Sequence, residues 1–425
     1  LAATPRFTKS ALDHPRTKLT GEFRMNDAFI YDGLRSPFGR HGGSLASIRP
    51  DNLLGYVLKA LIERNDFSLG AYEEVLAGCT NQAGEDSRNI ARHSALLAGL
   101  PVEVAGQTVN RLCGSGLAAI IDATRATRLE EGSLFLAGGV ESMSRAPYVL
   151  GKAESPYARN QPMYDTVIGS RFPNARIAHQ YGSHSMPETA DNVAHDLGLG
   201  RDESDVFAAR SQARYADALA RGFYEDEIVG IEVPQGRKQP AILVDKDEHP
   251  RPGTDAAKLG KLTSLFEGGV VTAGNASGLN DGAAALLIGS GKAGQEAGIK
   301  PRARIVAGAV AGVSPRVMGL GPVPATQKVL ARAGLTLGQM DVIEINEAFA
   351  TQVLGCVKQL DLSPDDSRLN ANGGAIAIGH PLGASGARLA LTALRQLEAN
   401  KGRYALVTMC IGVGQGIACI IERLD

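Results

Sequence analysis

One segment of this chain occurs twice. Gly114-Ser115-Gly116 returns as Ala384-Ser385-Gly386, and Gly132, ahead of an apolar strand, returns as Gly402 ahead of another; both offsets are 270 residues. A constant register through turn, helix and strand marks an internal duplication. It restricts the fold to two similar halves facing each other. In that register Cys113 falls on Gly383 and Val140 on Cys410. Equivalent scaffolds therefore carry different reactive groups.

The remaining chain is organised around those halves. From Met25 to Arg145, apolar segments at 75–79, 104–109 and 134–139 alternate with helical periodicity such as 89–100. Strands alternating with helices predict an α/β fold with a mostly parallel sheet, and 104–109 reads as a buried strand. Residues 146–280 break the rhythm with Pro147, Pro156, Pro162, Pro173 and Pro187, one helix at 204–221 and a charged loop at 234–261. This reads as an insertion with little sheet of its own, draped over a site. A strand at 283–289 rejoins the first half, and from Ala303 the strand-helix rhythm returns, with a helix at 387–399 and a strand at 404–409. The expected division is 25–145 with 281–301 as the N-terminal half, 146–280 as the inserted loop domain, and 302–425 as the C-terminal half. Residues 1–24 are polar, start with Leu1 and show no sustained periodicity. They read as a leader or vector-derived segment, with a transit peptide as the competing reading.

Composition excludes several classes. A chain of 425 residues with formal net charge -1 has no electrostatic footprint for nucleic acid or a membrane surface. No apolar run reaches membrane-spanning length. Five scattered cysteines suit reduced thiols and a cytoplasmic location better than a disulfide framework. No His/Cys cluster has zinc spacing.

The chemistry points to four positions. Val109-Asn110-Arg111-Leu112-Cys113-Gly114-Ser115-Gly116 reads as strand end, tight turn and helix start, since Leu117, Ile120, Ile121 and Thr124 share one helical face. Cys113 is thus expected at a helix N-terminus, where unpaired N–H groups and the helix dipole favour a thiolate. A small inert cysteine packed behind the turn fits the same pattern. Asn346 and Cys410 sit at the carboxyl ends of expected strands, the edge where open α/β sheets bind ligands. His380, in Gly379-His380-Pro381-Leu382-Gly383, is a candidate base for Cys113. Taken singly, His380 also reads as a satisfied turn residue, Cys410 as core and Asn346 as a strand end.

Four blocks, in order, resemble the signatures of the thiolases: Asn110 to Gly116, Asn346-Glu347-Ala348-Phe349, Gly379 to Gly386, and Cys410-Ile411-Gly412-Val413-Gly414-Gln415-Gly416. The resemblance runs from Met25 to Asp425. It implies two αβαβα halves stacked as five layers with an inserted loop domain. It also implies roles. Cys113 takes the acyl group as a thioester and His380 deprotonates it. Cys410 moves the proton at the α-carbon of acetyl-CoA. Asn346 holds a water that, with His380 Nε2, stabilises the enolate, and the N–H groups of Cys113 and Gly412 form a second oxyanion hole. Coenzyme A is implied as substrate, with no permanently bound cofactor and no metal. Ser277 and Met186 match the residues along the pantetheine chain. Where the family often has His just before that Met, this chain has Ser185, with His184 one further back. A homotetramer built from dimers is implied as well.

Val413, with Ser185-Met186-Pro187-Glu188-Thr189-Ala190, resembles thiolases that cleave 3-oxoadipyl-CoA in aromatic degradation. Such a substrate ends in a carboxylate that needs a partner when buried, and Arg171 and Arg176 are the candidates; as solvated loop residues they need no such role. An acetoacetyl-CoA or broad 3-ketoacyl-CoA thiolase is the alternative. A ketoacyl synthase would lack the second cysteine, and a noncatalytic acyl-CoA binder would lack a member of the Cys113, His380, Cys410 set. A nucleotide-binding oxidoreductase would need a long helix after the terminal glycines.

Overall fold

The computed structural model describes residues 27–236 and 238–424. The segment 1–24 lies outside the described residues. In the first half, β1 (Ala28–Arg35), α1 (Pro50–Glu63), β2 (Tyr72–Gly78), α2 (Ile90–Leu97), β3 (Ala105–Val109), α3 (Ser115–Arg128) and β4 (Leu134–Ser142) follow in order. The chain then leaves the sheet. It forms two small antiparallel hairpins and several helices, chief among them α4 (Met186–Leu197) and α5 (Arg201–Ala220), and returns as β5 (Asn280–Ser290). The second half contains β6 (Ala303–Gly312), α6 (Pro322–Ala333), β7 (Val342–Ile345), α7 (Ala350–Gln359), α8 (Leu382–Asn400), β8 (Tyr404–Ile411) and β9 (Gln415–Arg423).

The strands run β7-β8-β9-β6-β1-β5-β4-β2-β3. The sheet is two copies of one order, β1-β5-β4-β2 and β6-β9-β8-β7, back to back. Among the described residues their strands join where Phe29 pairs Arg304 and Ile30 pairs Ala303. β3 completes the first copy beside β2, and the bridge of Leu369 to Ile343 takes its place in the second.

Side-chain alternation builds the layers. Along β5, Ala283, Ala285 and Leu287 pack under α1 and α2, while Ala284, Leu286 and Ile288 face the opposite way, into the core around α3 and α8. In the second copy Ile343 and Ile345 face α6 and α7. Helices α3 and α8 lie between the two sheet halves as the middle layer. They cross with their backbones touching: a Cβ on Gly116 would stand 2.6 Å from the Gly383 carbonyl oxygen, and one on Gly386 would overlap the Leu117 backbone nitrogen. That crossing is why the duplicated motif ends in glycine in both halves.

Three expectations need correction. The sheet is mixed: β2–β3, β2–β4 and β7–β8 are parallel, whereas β4–β5, β1–β5, β8–β9 and β6–β9 are antiparallel. The cause is that β5 and β9 come back without a crossover helix. β3 is half-exposed, because it closes the sheet as an edge strand. Helix α8 starts at Leu382, five residues before the expected 387, since the glycines of 383–386 are helical small residues needed at the crossing.

Candidate active site

Cys113 stands one residue before Gly114, the N-cap of α3. Leu112 ahead of it has φ +46°, a left-handed conformation that costs a branched residue energy and throws the Cys113 side chain out of the turn. Ser115 pins the turn: its Oγ donates to the Leu112 carbonyl at 2.6 Å and accepts from the Arg111 N–H at 2.9 Å. The backbone N–H groups of Gly412 and of Cys113 itself lie near enough to the Cys113 sulfur to favour its thiolate. Cys113 is half-buried as a residue, yet its sulfur lies deep enough that burial pushes the thiol up to about 11 against those two donors. The expected stabilised thiolate is therefore not the resting state of the unliganded protein. Desolvation outweighs the helix N-terminus.

His380 is buried, and its backbone N–H donates to Asn280 Oδ1 at 2.9 Å. Ser385 Oγ donates its one proton to the Pro381 carbonyl at 2.9 Å. At 2.6 Å from His380 Nδ1 it must then accept, which puts the imidazole proton on Nδ1. Nε2 is left unprotonated, and its lone pair accepts from Asn346 Nδ2–H at 3.4 Å. Burial, aided by the Arg388 charge, pushes His380 down to about 3, so the imidazole is neutral. Asn346 is fully buried, and its Oδ1 is an acceptor without a hydrogen bond among the described residues. The open Asn346 acceptor can take a hydrogen bond from a donor such as a water, and once His380 Nε2 has taken up a proton it too can donate to a transient negative charge.

Cys410 ends β8 next to Gly412. Burial pushes its thiol well above the ordinary range, and the neighbouring Cys113 adds to the rise. It shares an apolar cluster with Met186, Ala276, Ala348 and Phe349. The Met186 sulfur lies 3.6 Å from where a Gly412 Cβ would be. Ser277, next to Ala276, donates its N–H to the Ala348 carbonyl at 2.9 Å, tying the insertion to the Asn346-Glu347-Ala348-Phe349 segment. Cys113, Cys410, Gly412 and Met186 thus meet, Ser277 borders their cluster, and His380 and Asn346 form a second contact. Arg171 and Arg176 are not seen joining them. Arg171 is half-buried and donates to the Thr166 carbonyl at 3.3 Å within its own loop, while Arg176 is exposed on a short helix. His184 is exposed.

Sequence reasoning passed over Glu141. This buried carboxylate accepts the N–H groups of Thr80, Asn81 and Gly383, at 3.0, 3.2 and 2.9 Å. It ties the first half to the start of α8, three residues from His380. Asn280 was also missed; its amide spans the Gly39 carbonyl and the His380 N–H. Among the described residues no group of three or more His, Cys, Asp or Glu side chains could hold a metal ion. No helix among them is long and apolar enough to cross a membrane.

Comparison with known proteins decides the family. Residues 28–292 match the Thiolase, N-terminal domain, and residues 299–423 the Thiolase, C-terminal domain. The chain belongs to the thiolase family. It is 55% identical over 402 residues to the beta-ketoadipyl-CoA thiolase of Acinetobacter baylyi, covering 94% of this chain and 100% of that protein. It is 56% identical, with the same coverage, to the 3-oxoadipyl-CoA/3-oxo-5,6-dehydrosuberyl-CoA thiolase of Escherichia coli strain K12. Human mitochondrial 3-ketoacyl-CoA thiolase in complex with CoA superposes with TM-score 0.86 at 39% identity, over 94% of this chain and 98% of that one. This thiolase is accordingly an acyltransferase with the duplicated fold of its family.

Proposed function

We propose that this thiolase cleaves 3-oxoadipyl-CoA with coenzyme A to succinyl-CoA and acetyl-CoA, in the degradation of aromatic compounds. The observation that carries the reading is 55–56% identity, over their whole lengths, to relatives named for that substrate. The site supports a two-stage reaction. His380 Nε2 takes the Cys113 proton, and the sulfur attacks the C3 ketone. The C2–C3 bond breaks, its electron pair passes to C2 as the acetyl-CoA enolate, and Cys410 donates the proton there. A water held by Asn346, with His380 Nε2–H, bears the enolate charge. Succinyl remains on Cys113 as a thioester. Cys410, now deprotonated, takes the proton of an incoming coenzyme A thiol, whose sulfur displaces Cys113, and the Cys113 thiolate regains its proton from His380. The Cys113 and Gly412 N–H groups hold the oxyanion of that step. The pantetheine chain runs past Ser277 and Met186. The protein carries no permanently bound cofactor, works in the cytoplasm and assembles as a homotetramer.

The substrate carboxylate is read by Arg171 or Arg176. Thiolysis of 3-oxoadipyl-CoA should exceed that of uncharged 3-oxohexanoyl-CoA about ten- to a hundredfold in kcat/KM, the range of one charge-assisted hydrogen bond. Arg171→Met or Arg176→Met should erase the gap and spare the uncharged substrate. Equal rates in the unmutated enzyme would replace the reading with a broad or acetoacetyl-specific thiolase.

A further inference from the structure

Helix α8 is apolar through most of its length, but Ser385, Arg388, Thr392 and Arg395 form one polar helical stripe along it. Arg388 on that stripe is fully buried. Its Nη1 stands 3.6 Å from Oε2 of Glu344 on β7, also fully buried. Among the described residues, all three Arg388 nitrogens and both Glu344 oxygens lack a hydrogen bond. At that distance the two groups attract as an ion pair without a hydrogen bond between them. Burying such a pair commonly destabilises a fold relative to apolar residues of the same size, so stability alone does not account for it.

Its place beside the site does. Glu344 and Asn346 are two apart on one extended segment, so both face α8, while Ile343 and Ile345 face the outer layer. Arg388 is one turn beyond Ser385, which holds His380 Nδ1. Two rungs therefore connect the same two elements, Glu344 to Arg388 and Asn346 to His380. We propose that the Glu344–Arg388 pair is a positioning device: it fixes β7 against the start of α8 so that Asn346 meets His380.

The surroundings agree. Glu344 also faces Glu347 from the loop after β7, and Glu227 and Arg214 from the insertion; burial pushes it up to about 8. After burial, the Arg388 charge also lowers His380.

The inference rests on the reading of His380 as the active-site base, and the test separates the two. Arg388→Gln and Glu344→Gln are made in the full chain. NMR of nitrogen-15-labelled histidine follows His380 without any turnover. In the unmutated protein the imidazole should stay neutral throughout the folded pH range. In Arg388→Gln it should titrate within that range and carry the acid limb of kcat upward with it. kcat should fall about tenfold and KM for coenzyme A should change less than about twofold. Arg388→Lys, which keeps the charge, should restore the pH profile. A His380 that stays neutral in folded Arg388→Gln, with an unmoved acid limb and an unchanged kcat, overturns the proposal. If Arg388→Gln does not fold, Glu344→Gln decides: an unchanged kcat overturns the positioning role, and a fall in kcat at constant KM supports it. A shifted His380 in a protein without thiolysis would instead sink the thiolase reading of His380 and leave the device standing.

Discussion

Helices α3 and α8 are copies of one element, and each has a serine at the same place, Ser115 and Ser385. In α3 the serine binds backbone on both sides of its Oγ and so shapes the turn that presents Cys113. In α8 it binds one carbonyl and a side chain, the His380 imidazole. The reactive groups differ accordingly. Cys113 is half-buried and within reach of a substrate, whereas His380 is buried and serves only what already lies in the site. The duplication thus supplied two anchors, one for a nucleophile and one for a base. The strands repeat the lesson: Val140 on β4 is core, and its counterpart Cys410 on β8 carries a second thiol.

The largest expected effects come from separating the two thiols. Cys113→Ala should lower thiolysis by about 10⁴-fold or more, as loss of an essential nucleophile does. After incubation with acyl-CoA its mass map should lack the acyl adduct that the unmutated Cys113 peptide carries. Cys410→Ala should still form that adduct but lose α-proton exchange by about 10²- to 10⁴-fold, the worth of a positioned acid/base. An adduct on Cys410 in the unmutated enzyme would reverse the assignment.

A smaller effect tests the charge state of the pair. Cys113 is pushed up to about 11 and His380 down to about 3, so the resting site is thiol and neutral imidazole. Alkylation of Cys113 by iodoacetamide should then rise about tenfold per pH unit, or about a hundredfold from pH 7 to pH 9, because only the thiolate reacts. A rate flat across that window would mean a preformed thiolate–imidazolium pair. The same His380 value bears on folding. The imidazole binds a proton near pH 6.5 when unfolded and only near 3 when folded. Its contribution is therefore lost as pH falls between those values, by up to about 1.4 kcal/mol per pH unit.

Much of the site was legible because it is local. Cys113 and His380 each sit in a short glycine-marked turn, and Cys410 stands near the end of a strand just before Gly412. The register of 270 residues aligns β4 with β8 at their first residues, Leu134 and Tyr404. What sequence did not show depends on partners far apart in the chain. Glu141 matters through Gly383, 242 residues away, and Asn280 through His380, 100 away. Strand direction was misjudged for a related reason. β5 pairs with β1 and β4 only after the insertion, so the order along the chain does not disclose that it returns antiparallel.

The finest test of the comparison is the serine pair itself. If Ser385 sets the His380 tautomer, Ser385→Ala removes the acceptor that keeps the proton on Nδ1. Nε2 then spends part of its time protonated and cannot take the Cys113 proton. kcat should fall about tenfold, the value of one hydrogen bond, with a drop in melting temperature no larger than that of Ser115→Ala. Ser115→Ala removes two bonds to backbone and none to a reactive group. It should cost about 1 kcal/mol of stability, read as a lower melting temperature, while Cys113 acylation at 25 °C stays within about twofold of normal. The two variants differ from the parent by the same atom at duplicated positions, so different readouts can come only from what each copy has been made to hold. If both lose activity and stability alike, the two serines are merely parallel supports, and the tautomer argument for His380 falls with them.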